Sequence, residues 1–494
     1  VTTIDIAPAV GAGLLAPEVW SNRVFAADGV AGSVAHEIRE PATGELLGTY
    51  LGVEAAQVRV AATAAAAAQE AWEHTPPEER AAVLRRAGAL FEEHAEEIQA
   101  WVQRETGAIA PKAQLETHTA AQECYEASAL PTAAMGDVLA AEEPRWSFAR
   151  RRAAGVVSVI SPFNFPLILS IRSVAPALAL GNAVLLKPDP RTTVSGGVAI
   201  ARVFEEAGLP AGLLSLLPGG ADVGEAVVTA PEVRIVSFTG STPAGRIVGE
   251  LAARHLKRAH LELGGNNALV VLPGADVEQA ASAGAFGSFM HQGQICMTTG
   301  RHIVHESLYD EYVAALARRA DALVVGDPTG HVHMGPIIDE RQRDRVLGII
   351  GGAIDAGASV QAGGTHDGLF VRPTVLSRVA GDNPAWSEEI FGPVAPVRSY
   401  RTREEAIGLI RENPYGLSVS LLGDVAEAMR IADRIRSGKI HINEQTVMDE
   451  ANAPFGGVGD SGTGSRFGGA QANIEAFTET QWLTMRPDIA PYPF

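Results

Sequence analysis

The sequence predicts an α/β fold with two doubly wound parallel units. From Val156 onward, short apolar runs alternate with helical stretches of about 10 to 15 residues. A second series of the same kind runs from Leu269 to about Ser437. At roughly 150 residues per domain, the 494 residues make about three structural units. No repeat of about 20 to 50 residues divides them otherwise.

The elements follow in order. The first 50 residues read as loop-rich, with short extended pieces such as 36–39. From 57 to 107 the pattern is helical. The Ala-rich run 58–68 is a strong helix former. Thr75-Pro-Pro-Glu-Glu79 reads as a helix start, with proline and acids in the first turn. Helix continues over 113–134 and carries Cys124. The pattern turns strand-like at 146–159, where Arg150, Arg151 and Arg152 read as a solvated hairpin edge. Strand 156–160, helix 167–179, strand 183–186 and helix 193–207 follow, the last closed by Gly208 and Pro210. Strands 213–217 and 233–238 lead to helix 244–253, and 480–485 reads as an extra strand.

Composition narrows the function. The formal charge is 39 − 58 = −19. Nucleic-acid backbones are bound by clustered Lys and Arg, so a well-mixed acidic chain is not expected to bind them. With 46% hydrophobic and 20% charged residues, the chain reads as globular. Two cysteines, Cys124 and Cys296, make neither a disulfide framework nor a thiolate cluster, which points to a reducing compartment. The most apolar stretch, 174–186, is broken by Pro176, Gly181 and Asn182 and is too short to span a bilayer. The N-terminus lacks a basic start, an apolar core and a cleavage site. The expectation is a cytoplasmic protein with no membrane partner. His331-Val-His333 sits in a Gly/Pro-rich loop without a third ligand, so no metal is expected.

Several segments are candidates for chemistry. Gly11-Ala-Gly13-Leu-Leu-Ala16 fits a dinucleotide fingerprint but has Pro17 behind it and no helix, so it is rejected. Gly457-Val-Gly459-Asp-Ser-Gly462 lacks a leading strand and reads as a mobile loop. Gly240-Ser-Thr-Pro-Ala-Gly245 lies between a buried strand and a helix, where backbone amides can face a pyrophosphate; it could equally be an ordinary corner. Cys296, in His291-Gln-Gly-Gln-Ile-Cys-Met297, is either a buried structural cysteine or a nucleophile that needs a base. Cys124 reads as structural. Glu262, in Leu-Glu-Leu-Gly-Gly265, is a solvated strand end or a partly buried general base. Asn164, in Ser161-Pro-Phe-Asn-Phe-Pro166, is a turn residue or an oxyanion donor. Lys187 ends a predicted strand, where open α/β sheets collect ligands.

Seven motifs in order resemble the aldehyde dehydrogenase superfamily, in its benzaldehyde and vanillin dehydrogenase branch. They are Ser-Pro-Phe-Asn-Phe-Pro (161–166), Leu-Leu-Lys-Pro (185–188), Phe-Thr-Gly-Ser-Thr (238–242), Leu-Glu-Leu-Gly-Gly (261–265), Gly-Gln-Ile-Cys (293–296), Glu-Glu-Ile-Phe-Gly-Pro (388–393) and Pro-Phe-Gly-Gly (454–457). The resemblance spans roughly Val24 to Trp482. It implies that Cys296 attacks an aldehyde carbonyl, that Asn164 and the Cys296 amide hold the oxyanion, and that Glu262 activates the water that hydrolyses the thioester. It places the coenzyme along Ile160, Ser161, Pro162, Phe163, Lys187, Gly220, Gly224, Phe238, Gly240, Ser241, Gly245, Leu263, Glu389 and Phe391. It lines the substrate pocket with Phe163, Phe165, Ile168, Met290, Ile295, Met297, Val447 and Phe455, a set suited to a flat aromatic ring. Arg172 and Glu444 map nearby; each could recognise a ring substituent, though surface exposure is the plainer reading.

The resemblance also implies a Rossmann-like cofactor domain (1–137 and 156–261), a catalytic domain (262–473) and a small β oligomerisation arm (138–155 and 474–494), hence a homodimer or homotetramer. Many NAD-preferring members have an acid three positions after the lysine. Here that position is Pro190, so both NAD and NADP are expected. Other readings are an aliphatic or semialdehyde dehydrogenase, and a CoA-acylating enzyme, for which Glu262 would be superfluous. A binding protein on this scaffold would be free to lose Cys296, Glu262 and Asn164. Ester hydrolysis through Cys296 is a possible side activity.

Overall fold

The computed structural model describes residues 13–494. The reading of the N-terminal segment falls mainly on residues 1–12 and lies outside the described residues, as do Gly11 and Ala12 of the rejected fingerprint. Its remaining amides serve a carboxylate: Leu14 N and Leu15 N donate to Glu97 at 2.9 and 2.8 Å.

Five parallel strands form one sheet, in the spatial order Leu214–Leu216, Ala183–Lys187, Val156–Ile160, Val233–Thr239 and Arg258–Glu262. Val156–Ile160 and Ala183–Lys187 are buried at every position, as expected of parallel strands covered on both faces. From the central strand Val156–Ile160 the chain winds outward one way, then returns to its other side. The carboxyl ends Ile160, Lys187, Thr239 and Glu262 therefore border one crevice at the point where the winding reverses.

The second sheet has seven strands, in the order Ser359–Ala362, Thr374–Ser377, Val394–Tyr400, Thr299–His305, Asn267–Val271, Ser418–Leu422 and Lys439–Ile442. Only its outer pair, Ser359–Ala362 with Thr374–Ser377, is antiparallel. Two doubly wound α/β units are thus present. A three-stranded antiparallel sheet completes the architecture, with Trp146–Ala153 between Gly136–Val138 and Thr478–Met485.

The structure departs from the sequence expectations at four places. Arg150, Arg151 and Arg152 lie on the central strand of that small sheet, not on a hairpin edge, because the C-terminal segment pairs with them over the whole length of Thr478–Met485. The first 50 residues contain an antiparallel hairpin, Gly32–Arg39 with Leu46–Val53. Helix 193–207 begins as a π-helical turn, Val194–Val198, before Ala199–Glu206. That turn sits on the buried Glu105 carboxylate, which accepts from Val194 N at 2.9 Å and Ser195 N at 2.6 Å. Finally, 457–462 is pinned rather than mobile. Val458–Gly459 pairs with Tyr415–Gly416, and Ser461 O accepts from Leu263 N at 2.9 Å.

Candidate active site

Cys296 follows the helix Val277–Phe289 and a tight turn at Met290–Gly293. His291, Gln292 and Gly293 are successively left-handed, with φ of 47°, 57° and 65°. Such strain in non-glycine residues collects at functional sites. At Gly293 a Cβ would lie 2.2 Å from the Gly392 carbonyl oxygen, so this close approach requires glycine. Three hydrogen bonds fasten the turn. Asn267 Nδ2 donates to Cys296 O at 2.8 Å and to Thr298 O at 2.9 Å, and Thr298 Oγ1 donates to Gly293 O at 3.0 Å. Burial pushes the Cys296 thiol up to about 12; Glu389, Asp449 and Glu262 add to the rise and Lys439 opposes it. The thiol is protonated at neutral pH and needs a base.

Glu262 is the carboxylate expected to act as base. Glu262 ends the strand Arg258–Glu262 with 2% exposure. Its Oε2 accepts from Gly457 N at 2.9 Å, while Oε1 is buried without a hydrogen-bond partner among the described residues. Burial raises its pKa well above the ordinary carboxylate range, with Gly457 N, Arg466, Arg172 and Lys439 pulling the other way. Three residues on, a Cβ at Gly265 would lie 2.9 Å from Cys296 O, so the strand end and the cysteine loop are in direct contact.

Asn164 is 2% exposed, in the turn between Val156–Ile160 and the helix Pro166–Ala179. Its side-chain amide donates to no described residue and is free to receive an oxyanion. Neighbouring Phe165 packs edge-on to His291 with ring centres 5.5 Å apart, joining this turn to the cysteine turn.

An apolar cluster surrounds the thiol. Ile295, Met297, Leu417 and Phe455 form its buried part, and Phe165, Met290, Cys296 and Val447 pack against them. Six of the eight expected pocket residues therefore meet around Cys296, from segments over a hundred residues apart. Ile168 is buried outside this cluster, its amide donating to Glu116 at 3.3 Å. Phe163 faces elsewhere, edge-on to Phe391 at 6.0 Å and under the Arg191 guanidinium at 4.3 Å.

Charged groups frame the cluster. Arg172 is 3% exposed, which overturns its reading as a surface residue. Its helix is buried on nearly every face, and ion pairs make the burial tolerable: Nε to Glu123 Oε1 at 2.8 Å and Nη1 to Asp449 Oδ2 at 2.7 Å. Glu444 is exposed. Lys112 pairs with Glu116 beneath the ring of Phe165, its ammonium 4.4 Å from the ring centre.

The crevice beyond Cys296 suits a dinucleotide. Ser241 is the N-cap of the helix Thr242–Arg254, whose first amides have no side-chain cap. A Cβ at Gly240 would lie 2.6 Å from the Phe238 ring, and one at Gly245 2.2 Å from Leu263, so a side chain at either would crowd the corner. Gly220 caps a second helix, Ala221–Thr229, with Gly224 inside it and open space beside it. Ile160 and Lys187 pair at neighbouring strand ends; Ser161 N donates to Lys187 O at 3.2 Å, and Pro162 follows. The buried Lys187 ammonium makes no hydrogen bond or ion pair among the described residues, and burial lowers its pKa. An unpaired cation beside uncapped helix amides is a donor set for hydroxyls and phosphates. Glu389 accepts from Gly265 N at 2.9 Å and is pushed up to about 7 by burial; Phe391 adopts φ 54° beside it. Among the described residues, no group of three or more His, Cys, Asp or Glu is placed to hold a metal.

Sequence reasoning missed Asn267, Lys439 and Asp449, and it quoted Gly457 within motifs without its bond to Glu262. Asn267 acts through an amide side chain and Gly457 through a backbone N–H, uses that composition does not show. Only the scarcity of lysines, four in the chain, marked Lys439.

Residues 30–483 match the Aldehyde dehydrogenase family. The chain belongs to the aldehyde dehydrogenase family. It is 62% identical over 482 residues to a vanillin dehydrogenase of Amycolatopsis sp., covering 97% of this chain and 99% of that protein. It is 45% identical over 481 residues to a benzaldehyde dehydrogenase [NAD(+)] of Pseudomonas putida, covering 96% and 98%. Among solved structures, a salicylaldehyde dehydrogenase from Pseudomonas putida G7 complexed with salicylaldehyde superposes with a TM-score of 0.92 at 35% identity, covering 96% of this chain and all of that one. A half-buried thiol, a partnerless carboxylate oxygen and an unpaired amide thus stand at the ends of three separate segments.

Proposed function

We propose that this aldehyde dehydrogenase oxidises aromatic aldehydes of the benzaldehyde type to carboxylic acids, using NAD and also NADP. The observation that carries this is the aromatic and apolar cluster packed directly around Cys296. Flat rings gain most from such a wall.

The residues act in turn. Cys296 Sγ bonds to the aldehyde carbon as the thiol proton passes to Glu262 and on to solvent, giving a thiohemiacetal whose oxyanion is held by Asn164 and the Cys296 N–H. A nicotinamide coenzyme, when bound, would supply the hydride acceptor, and loss of the aldehyde C–H as hydride leaves a thioester on Sγ. Ser241, Gly240 and Lys187 would hold the coenzyme's polar parts. Glu262 takes a proton from water, whose oxygen attacks the thioester carbon and releases the acid and the thiol. The names of the vanillin, benzaldehyde and salicylaldehyde relatives support the substrate class. The test is growth of reduced-coenzyme absorbance with benzaldehyde; no turnover would overturn the reading.

Coenzyme choice follows from the Lys187 neighbourhood. Pro190 offers no carboxylate, and nearby Asp189 is paired with Arg191 at 2.8 Å. A 2′-phosphate therefore meets Lys187 without a carboxylate from position 190, the nearby acids being Asp189 and Asp222. NADP efficiency is expected within about a hundredfold of NAD, a limit near 2.7 kcal/mol. Pro190→Glu is expected to lower NADP use at least about tenfold more than NAD use. Steady-state kinetics with both coenzymes checks this; a larger NADP deficit in the unmodified enzyme rejects it.

We further propose the division into a cofactor domain at 1–137 and 156–261, a catalytic domain at 262–473 and an arm at 138–155 and 474–494. The arm exposes Val138, Trp146, Leu483 and Met485, which the strand register puts on one face, and this apolar face supports a homodimer or homotetramer. Light scattering is expected to give a multiple of 51.7 kDa, and a monomer would overturn this. No described helix is long and apolar enough to cross a membrane. The need for a free Cys296 thiol supports a cytoplasmic location, which fractionation would test.

A further inference from the structure

Lys439 opens the edge strand Lys439–Ile442, yet its side chain is only 10% exposed. The ammonium lies 4.4 Å from the centre of the Phe455 ring. It donates to Asp449 Oδ1 at 2.9 Å, to Met448 O at 3.0 Å and toward Met297 Sδ at 3.2 Å. An ammonium has three donors, and a thioether is a weak acceptor. Two donors are thus well used and the third is not. The residues on that third side, Met297 and Phe455, belong to the pocket cluster around Cys296. Met297 is unbranched and can swing aside.

Resting on the aromatic-aldehyde reading above, we propose that Lys439 is a specificity residue: its third N–H donates to an oxygen substituent, hydroxyl or ether, on the ring of the substrate. Charge count favours a neutral substituent. Asp449 is shared between Lys439 and Arg172, and Arg172 is held by Glu123, so two cations face two carboxylates. A ring carboxylate would add an unpaired buried charge, whereas a hydroxyl adds only an acceptor. Holding the 444–450 loop occupies just the Asp449 and Met448 bonds, so a purely structural role leaves the third donor without a use.

The test compares kcat/KM for ortho-, meta- and para-hydroxybenzaldehyde with the corresponding methylbenzaldehydes, which match in size and lack the oxygen. In the unmodified enzyme the hydroxyl compound should be preferred by about tenfold or more at one ring position, as expected for a hydrogen bond to a charged donor. Lys439→Met should remove that preference, and Lys439→Arg should restore part of it. A hydroxyl preference that survives Lys439→Met overturns the proposal. So does the absence of any hydroxyl preference in the unmodified enzyme, a result that needs no variant to fold. An enzyme that oxidises none of these aldehydes fails the aromatic reading itself, and is told apart because the methyl compounds then also go unoxidised.

Discussion

Cys296→Ala is expected to lower aldehyde oxidation by at least about four orders of magnitude, whichever coenzyme is supplied. Among the described residues the thiol is the one nucleophile in the apolar cluster, and the Lys439 ammonium beside it is held by Asp449 and Met448. Ester hydrolysis should disappear with it, since both reactions pass through an acyl group on the same sulfur. The fold should survive. The turn is fastened by Asn267 and Thr298 through the Cys296 backbone, not its side chain, so the three bonds that shape it remain in alanine. A variant that unfolds at the same denaturant concentration yet retains turnover would remove Cys296 from the chemistry. Coenzyme binding, followed by quenching of protein fluorescence, should persist and separate lost chemistry from lost binding.

The parallel strands were legible because burial on both faces forces continuous apolar runs, and Val156–Ile160 was read to its end residues. The motifs were legible because each places a side chain, or a glycine with no room for one, at a fixed point: Gly293 beneath the Gly392 carbonyl is such a case. What escaped depends on partners distant in sequence. The central position of Trp146–Ala153 is set by Thr478–Met485, more than 300 residues later. Arg172 reads as a surface residue until Glu123 and Asp449, on two other segments, are brought to it. The loop 457–462 looks mobile from its glycines, yet those glycines let its backbone approach Glu262 closely enough to donate at 2.9 Å. Local composition carries neither the pairing of distant carboxylates nor the use of a backbone amide.

Glu262→Gln is expected to lower steady-state turnover about a thousandfold, the range of a lost general base, and to raise stability at alkaline pH. Both follow from one feature, a carboxylate buried with one oxygen unpartnered. In the unfolded chain Glu262 titrates near the ordinary value of about 4.3. In the folded chain its pKa is well above that, so between the two the native state holds the extra proton. Stability contributed by this group therefore falls as pH rises from the unfolded value toward the folded one. Glutamine keeps an oxygen for Gly457 N and never ionises, so its unfolding free energy should lack that fall. Activity runs the other way, because only the ionised carboxylate takes a proton, and turnover should rise with pH as the buried Glu262 ionises, above the ordinary carboxylate range. The Cys296 thiol is pushed up to about 12, chiefly by burial, so it ionises above the carboxylate range and the rising limb belongs to Glu262. In Glu262→Gln the limb should move to higher pH, where the thiol ionises alone. Denaturant titrations and rate profiles over the same pH range measure both effects. A glutamine variant with unchanged turnover would place the base elsewhere; one with lower stability at alkaline pH would show that the buried carboxylate is compensated. The expected pairing, slower but more stable, is the signature of a charge held in the interior for the reaction and at the expense of the fold.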